Sequence, residues 1–535
     1  MNAVIPNPAK RAADGGAAAL PAAGPWRIRA DRGLAPVADT LRALLAPHLG
    51  ERLLPGDASP AHGSKIVLTL DAADVPLGRT VGVAPTGAAE PADEAYGLTV
   101  TAEGITCRSR TPQGVFRAAT TAAQLLLTTP PDGLLDAQEL SDAPRYAWRG
   151  LMIDPARCFV SPEEVRRVID LAALYKLNVL HLHLTDNEGW RMELPSTPSL
   201  TGHQDAAGER HFYTVDEYRE LQTYAAQRHV TIVPEIDLPG HCAALRTALP
   251  ELPPAPAPDG LAGRFPFVPP LDLTDADTHA AVAAVLADVC ALTEGPFVHI
   301  GGDEAIGITD ACFVASVREL RNLVRKFGKR PVAWQESARA GIGPEDIAQF
   351  WVDVPMMDLP DTAEELAGRP ELVATGLTME VVGALKTFFA PSDHDVERIL
   401  AGGARLLLSP QSHLYLDRRY APEVTPAAQA EDAARLGFPH YRPRSVEHTA
   451  SWDPASYGIP DERVAGVEAT LFGETLRGLD DLATLLLPRL GSVAEAAWSG
   501  RAPEWSEYRT RIARHARLWN ERGLAHLAAQ DVPWQ

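Results

Sequence analysis

The densest concentration of reactive groups in the chain is one short run, His299-Ile300-Gly301-Gly302-Asp303-Glu304. Two glycines let a backbone turn sharply and approach a ligand closely. Two adjacent carboxylates follow them. If both enter one pocket, mutual repulsion and partial burial raise the pKa of one of them. A carboxyl kept protonated near neutral pH can hand its proton to a leaving oxygen. A bare GGDE also suits a solvated turn, so its surroundings must decide. A second constellation, His181-x-His183, has the spacing of metal ligands at a strand end. The remaining ligands would then be His or a bridging Lys on later strands, where Trp, Asp, Tyr and Glu stand instead. Residues two apart on a strand share a face, so both histidines equally suit a core role, bonded to polar neighbours.

The elements around these residues alternate short apolar runs with helical stretches. The runs begin near Gly150, Asn178, Val230, Phe297, Pro331, Ile347, Ala404 and Val464. Continuous apolar runs separated by helices predict parallel strands buried on both faces. Eight β/α units over this length predict a TIM barrel. Ser161-Pro162-Glu163-Glu164 and Thr214-Val215-Asp216-Glu217 each read as a capping box opening a barrel helix. In such a barrel the chemistry sits at the C-terminal strand ends. The polar residues there are Asp154 and Arg157, then Asp186, Trp190 and Arg191, then Glu235, Asp237 and His241. They continue with Asp303 and Glu304, Trp334 and Glu336, Trp351 and Asp353, Tyr415 and Asp417, and Glu474. Aromatic faces stack on sugar C–H faces, and carboxylates with an Arg bind hydroxyls in pairs, so this rim predicts a carbohydrate site. The eight prolines from Pro250 to Pro270 exclude helix and central strand there. They predict a rigid loop after strand three, either plain surface or a wall of the cleft.

Ahead of the barrel, strand-like runs at Ser64–Leu70 and Tyr96–Thr101 and a helical stretch at Thr111–Leu127 predict a small α/β domain. The expected organisation is a disordered tail over 1–24, rich in Ala, Pro and Gly, the small domain over 25–144, and the barrel over 145–535. Lys and Arg total 49 against 70 Asp and Glu, a net charge of −21. That surface disfavours phosphate backbones and anionic membranes. Five cysteines without a CxxC pair argue against a disulfide framework or a zinc knuckle. The N-terminal stretch has no signal-type apolar core and no long apolar run follows, so the expected location is the cytoplasm. No cofactor and no resident metal are expected; homo-oligomerisation is left open.

Several stretches together resemble family-20 glycoside hydrolases, the β-N-acetylhexosaminidases. They are WRGLMIDPARCF (Trp148–Phe159), LNVLHLHLTDNEGWR (Leu177–Arg191), VPEIDLPGH (Val233–His241), HIGGDE (His299–Glu304), LLSPQSHLYLD (Leu407–Asp417) and GVEATLFGET (Gly466–Thr475). GVFRAATTAAQLL (Gly114–Leu126) matches the closing helix of the small domain that precedes the barrel in that family. The resemblance implies substrate-assisted cleavage, an exception to the two-carboxylate scheme. It makes Glu304 the general acid and base, Asp303 the partner that orients the sugar's acetamido group, and Tyr415 a second contact to that group. It assigns Arg157 to the 3- and 4-hydroxyls, and Asp417 and Glu474 to the 4- and 6-hydroxyls. Trp334 and Trp351 would wall the acetamido pocket, and Trp452 would lie on the leaving-group side. Asp186 and His241 would support the general acid. Three residues depart from the family pattern: Cys158 replaces a usual His, Phe472 a usual Trp, and Asn187 a common Asp. Phe472 predicts a looser acetamido pocket that tolerates larger N-acyl groups. The expected partner is a small oligosaccharide or glycoconjugate. The competing readings are a catalytically silent sugar-binding relative and a metal-dependent barrel amidohydrolase using His181 and His183.

Overall fold

The structure, a computed structural model, describes residues 3–13, 19–55, 63–73, 75–202, 210–256, 268–353, 359–374 and 376–534. The small domain holds strands β1 (Lys10–Ala13), β2 (Leu20–Pro21), β3 (Trp26–Ala30), β4 (Ser64–Leu70), β5 (Tyr96–Thr101), β6 (Gly104–Ser109), β7 (Leu134–Leu135) and β8 (Gln138–Asp142). Six of them make a mixed sheet in the order β1-β8-β5-β6-β4-β3. Helices α1 (Ala35–Leu49) and α2 (Pro112–Leu127) pack against it and against each other. Thr111 caps α2 by accepting from the Gly114 N–H. Nearly every residue of α2 is buried, as expected for a helix with packed neighbours on all sides. One face meets the sheet and another meets the first barrel helix.

The expected tail over 1–24 is corrected. β1 pairs antiparallel with β8, from Lys10↔Ser141 to Ala13↔Gln138. Ala3, Val4 and Ile5 are buried. The Ile5 N–H donates to Gln124 Oε1 at 2.7 Å, and Arg511 Nη1 donates to the Val4 carbonyl at 3.0 Å. The segment carries no periodic signal of its own. Distant side chains supply its hydrogen bonds, which composition cannot reveal. Residues 1–2 and 14–18 lie outside the described residues.

The larger domain is a closed parallel barrel. Its strands are β9 (Trp148–Ile153), β10 (Val179–His183), β11 (Thr231–Glu235), β12 (Phe297–His299), β13 (Arg330–Trp334), β14 (Ile347–Phe350), β15 (Arg405–Leu408) and β16 (Val464–Leu471). They run in chain order around the barrel, and β16 closes on β9 with Gly466 opposite Trp148. Each of the eight apolar runs in the sequence is one of these strands. Helices α3 (Pro162–Leu174) and α4 (Val215–Ala226) begin at complete capping boxes on Ser161 and Thr214. Inside the barrel, the end at which the strands begin is plugged by Trp148, Val179, Val233, Phe297, Val332, Ile347, Leu407 and Ala465. Trp148 meets Phe297 edge to face at 5.0 Å. Above this apolar layer lies a charged one. Gly150 makes room for it: a Cβ there would lie 2.1 Å from Glu468 Oε2.

The two domains share a buried clamp. Glu94 Oε2 accepts from Arg117 Nε of α2 at 2.6 Å and from Arg149 Nη2 of β9 at 2.7 Å. Burial alone would raise the Glu94 carboxyl, but the two guanidinium groups outweigh it and hold it at about 2. Among the described residues, no helix is long and apolar enough to cross a membrane. Of the proline-rich stretch, residues 257–267 lie outside the described residues.

Candidate active site

The strand ends of the barrel converge on a cavity of about 70 Å³. It is lined by Arg157, His183, Asp186, Asp237, His241, Asp303, Glu304, Trp351, Tyr415, Asp417, Phe438, Tyr441, Phe472 and Glu474. A larger cavity of about 310 Å³ lies between the small domain and the opposite barrel end, among Ala84, Pro85, Glu94, His229 and Pro296. Its one deeply buried acid, Glu94, is already neutralised by two arginines. The smaller cavity is therefore the place for acid–base chemistry.

The Gly301-Gly302 turn delivers Asp303 and Glu304 after β12. Gly301 has φ +67°, and a Cβ there would sit 1.7 Å from Asp237 Oδ1, so only glycine fits. The Gly302 N–H donates to that same Asp237 oxygen at 3.1 Å. Glu304 has φ +39° and His241 φ +43°. Left-handed backbone at two non-glycine residues is costly and is held only where the surroundings demand it. Here it aims both side chains into one cavity. His241, Asp303 and Glu304 each bring a polar atom within 4.8 Å of the others.

The electrostatics divide these acids. Burial raises the Glu304 carboxyl; His241 and Arg157 pull it down, and Asp186 pushes it further up, so it ends above its ordinary value. Burial and the neighbouring Asp237 carboxyl raise Asp303 well above the usual range; Asp237 is itself raised, by burial and by Glu235. Asp303 Oδ1 is buried without a hydrogen-bond partner among the described residues, open to a donor from a ligand. Asp186 is the opposite case. Burial works against its charge, yet His241 and Arg157 hold it well below the ordinary value. Asp186 Oδ1 accepts from His241 Nδ1 at 3.0 Å, and His241 Nε2 faces Glu304 Oε2 at 3.7 Å.

On the far wall, burial followed by repulsion from Glu474 pushes Asp417 up to about 8. Burial takes Glu474 to about 7, against the pull of Arg157. Carboxyls near neutrality can both donate to and accept from hydroxyls. Arg157 is ion-paired with Asp186 at 2.7 Å, Asp154 at 3.1 Å and Glu188 at 3.1 Å. Trp351 lies parallel to Tyr415, centroids 6.0 Å apart, and its Nε1 donates to Glu336 at 3.1 Å. Phe472 meets Tyr415 at 5.4 Å.

Most expected site residues meet here: Arg157, Asp186, His241, Asp303, Glu304, Trp351, Tyr415, Asp417, Phe472 and Glu474 line the cavity. Trp334 stands one layer behind, 6.3 Å from Phe472, with Nε1 on Glu235 Oε1 at 2.8 Å. Trp452 does not line the cavity. It is buried in the main core after the helix Val446–Ala450, and its Nε1 donates to the Tyr457 hydroxyl at 3.3 Å. Phe438 and Tyr441 occupy the cavity wall instead, and the sequence reading did not single them out. Their segment folds back on the β15 loop through Phe438 N–H to the Asp417 carbonyl, 2.7 Å. The Arg418 guanidinium lies 4.8 Å from the Tyr441 ring. The aromatic cluster in LGFPHY, behind a glycine, is the signal that could have marked them. Cys158 lies outside the lining.

The His181 and His183 pair is bound to carboxylates. His183 has Glu235 on Nδ1 at 2.6 Å and Asp186 on Nε2 at 2.9 Å. Both ring nitrogens of His183 are taken up by buried carboxylates, the core role bonded to polar neighbours that the strand spacing also allows.

Comparison with known proteins agrees with this geometry. The model of "Glycosyl hydrolase family 20, catalytic domain" matches residues 146–501, and that of the family's "domain 2" matches residues 1–143. The β-N-acetylhexosaminidase of Cellulomonas fimi is 34% identical over 452 residues, 83% of this chain and 82% of that protein. A mutant Streptomyces plicatus β-hexosaminidase, solved in complex with its product GlcNAc, superposes with a TM-score of 0.76 at 31% identity, covering 100% of this chain and 98% of that one. The Streptomyces coelicolor β-N-acetylhexosaminidase superposes with a TM-score of 0.75 at 31% identity, covering 100% and 99%. The chain belongs to glycosyl hydrolase family 20.

Proposed function

We propose that the chain is a retaining, exo-acting β-N-acetylhexosaminidase that removes terminal β-linked GlcNAc or GalNAc with the help of the sugar's own acetamido group. The acetamido oxygen attacks the anomeric carbon while Glu304 protonates the departing glycosidic oxygen. The C–O bond to the leaving group breaks as the oxazolinium ring closes. Glu304, now a carboxylate, takes a proton from water, which opens the ring from the leaving-group side and retains the configuration. Asp303 accepts from the acetamido N–H and stabilises the positive charge that grows on it. Tyr415 donates to the acetamido oxygen and fixes its direction. The step is intramolecular, so holding one conformer is the main task. Charge stabilisation in a water-poor pocket is the other.

The observation that carries this reading is the adjacent pair Asp303–Glu304 entering one cavity with different neighbours. Glu304 faces His241, and Asp303 faces Asp237 and the Tyr415 side. Arg157, Asp417 and Glu474 would clasp the 3-, 4- and 6-hydroxyls, which leaves no path for a continuing chain and makes the action exo. Asp186 and His241 hold the acid in place.

The test is an assay of chromogenic β-GlcNAc, β-GalNAc and β-glucoside, with and without a thiazoline mimic of the intermediate. The acetamido sugars should turn over and the mimic should inhibit. Rapid cleavage of the glucoside, which has no acetamido arm, would overturn the mechanism. Full activity in EDTA is expected, and its loss would favour a metal-dependent reading.

A further inference from the structure

We propose that Glu235 is a positioning residue for Glu304, acting through a buried chain of alternating carboxylates and imidazoles that crosses the barrel interior. This rests on the reading of Glu304 as the general acid.

Glu235 ends β11 and is fully buried. Its Oε2 lies 2.6 Å from His183 Nδ1 and 3.1 Å from His181 Nε2. Its Oε1 accepts from Trp334 Nε1 at 2.8 Å and lies 2.9 Å from His299 Nδ1. Toward the cavity, His183 Nε2 reaches Asp186 Oδ2 at 2.9 Å. Asp186 Oδ1 takes His241 Nδ1 at 3.0 Å, and His241 Nε2 faces Glu304 at 3.7 Å. Away from the cavity, His181 Nδ1 meets Glu468 Oε1 at 2.8 Å. Trp148 Nε1 and Gln349 Nε2 also donate to Glu468, at 2.9 and 3.1 Å. Acid and imidazole thus alternate from Glu468 to Glu304, and each inner histidine lies between two carboxylates.

The arrangement has a mechanical consequence. An imidazole with a carboxylate on each nitrogen stays doubly protonated and cannot flip its ring. Both oxygens of Asp186 are then committed, so Asp186 cannot rotate. His241 is held with Nε2 toward the acid. Glu235 is the joint of this chain, because one carboxylate touches both inner histidines. The titration directions agree. His181 and His241 each settle at about 9, their carboxylate neighbours outweighing burial, and His183 is raised well above its ordinary value. The other charged or titratable groups around the chain are Asp154, Arg157, Asp237, Cys242, His299, Asp303, Tyr441 and Glu474.

The alternative is that Glu235 only neutralises buried cations and keeps the barrel folded. A pH profile measured on two substrates separates the cases. The full chain and its Glu235→Gln, Glu235→Asp, His183→Asn, Glu468→Gln and Glu304→Gln variants are assayed on an activated aryl β-GlcNAc and on an alkyl β-GlcNAc, whose leaving group needs a proton. We expect Glu235→Gln to lose about tenfold or more on the alkyl glycoside and under about threefold on the aryl one. The alkaline limb of kcat/KM on the alkyl glycoside should move by about half a pH unit or more. Glu235→Asp should recover part of that movement. Equal losses on both substrates with an unmoved limb would reduce Glu235 to a structural role. If Glu235→Gln does not fold, Glu468→Gln decides by the same criterion. If Glu304→Gln itself fails to separate the two substrates, the acid assignment falls. If only the Glu235, His183 and Glu468 variants fail to separate them, the chain alone falls.

Discussion

Glu304 and Asp303 are neighbours in the chain but are tuned by different surroundings, and their variants should fail differently. Glu304→Gln removes the proton donor. Its loss should be about 10²–10⁴-fold where the leaving group needs a proton and much smaller where it does not. Parallel rates of aryl and alkyl glycosides are the check, and equal losses would count against the assignment. Asp303 acts on charge that appears mainly in the transition state. Asp303→Asn should lower kcat by about 10²–10³-fold with little change in KM. A change confined to KM would contradict this. Phe472 touches Tyr415 and stands before Trp334, so it shapes the acyl end of the cavity. A bulkier indole there should restrict it. Phe472→Trp should cut the rate on N-propionyl relative to N-acetyl substrates by about tenfold, the scale of one methylene in a tight pocket. An unchanged ratio would mean that the acyl group does not press on this ring.

The elements that carry these residues differ in how far they can be read ahead of a structure. The eight barrel strands were legible because strands buried on both faces must be apolar throughout. The capping boxes were legible because both halves lie within four residues. Ser161→Ala should cost about 1 kcal/mol, as N-cap removals do, read as a lower midpoint in chemical unfolding. Removing Ser161 Oγ frees the Glu164 N–H that it now accepts from. The site residues on strand ends were legible through their motifs. Segments fixed by distant partners were not. β1 depends on pairing with β8 and on Gln124 and Arg511. The Phe438–Tyr441 segment depends on a backbone bond to Asp417 and on Gly437, where a Cβ would sit 2.7 Å from the Asp417 carbonyl. Trp452, which the resemblance puts on the leaving-group side, is placed by long-range packing too: its indole is buried and donates to the Tyr457 hydroxyl.

At the scale of the whole molecule, Glu94 links the small domain to the barrel. Arg117 and Arg149 are both fully buried and both rely on it. Glu94→Gln leaves two buried cations short of an anion and should cost about 3–5 kcal/mol, the usual penalty for breaking such a pair. Chemical denaturation at neutral pH would measure it, and a cost near zero would show that water reaches the clamp. The pH dependence follows. The folded value of about 2 lies below the free value of 4.5. The contribution is therefore whole above pH 4.5 and is lost as pH falls toward about 2.

The same joint limits how freely the halves can be recombined. Arg149 sits on the first strand of the barrel, so a barrel excised from this chain and grafted behind a foreign leader would bring along a buried guanidinium without its counter-ion. Chimeras should succeed only when the donor supplies an acid where Glu94 now reaches across. A lineage exchanging these modules would have to inherit the acid and its two arginines as a set.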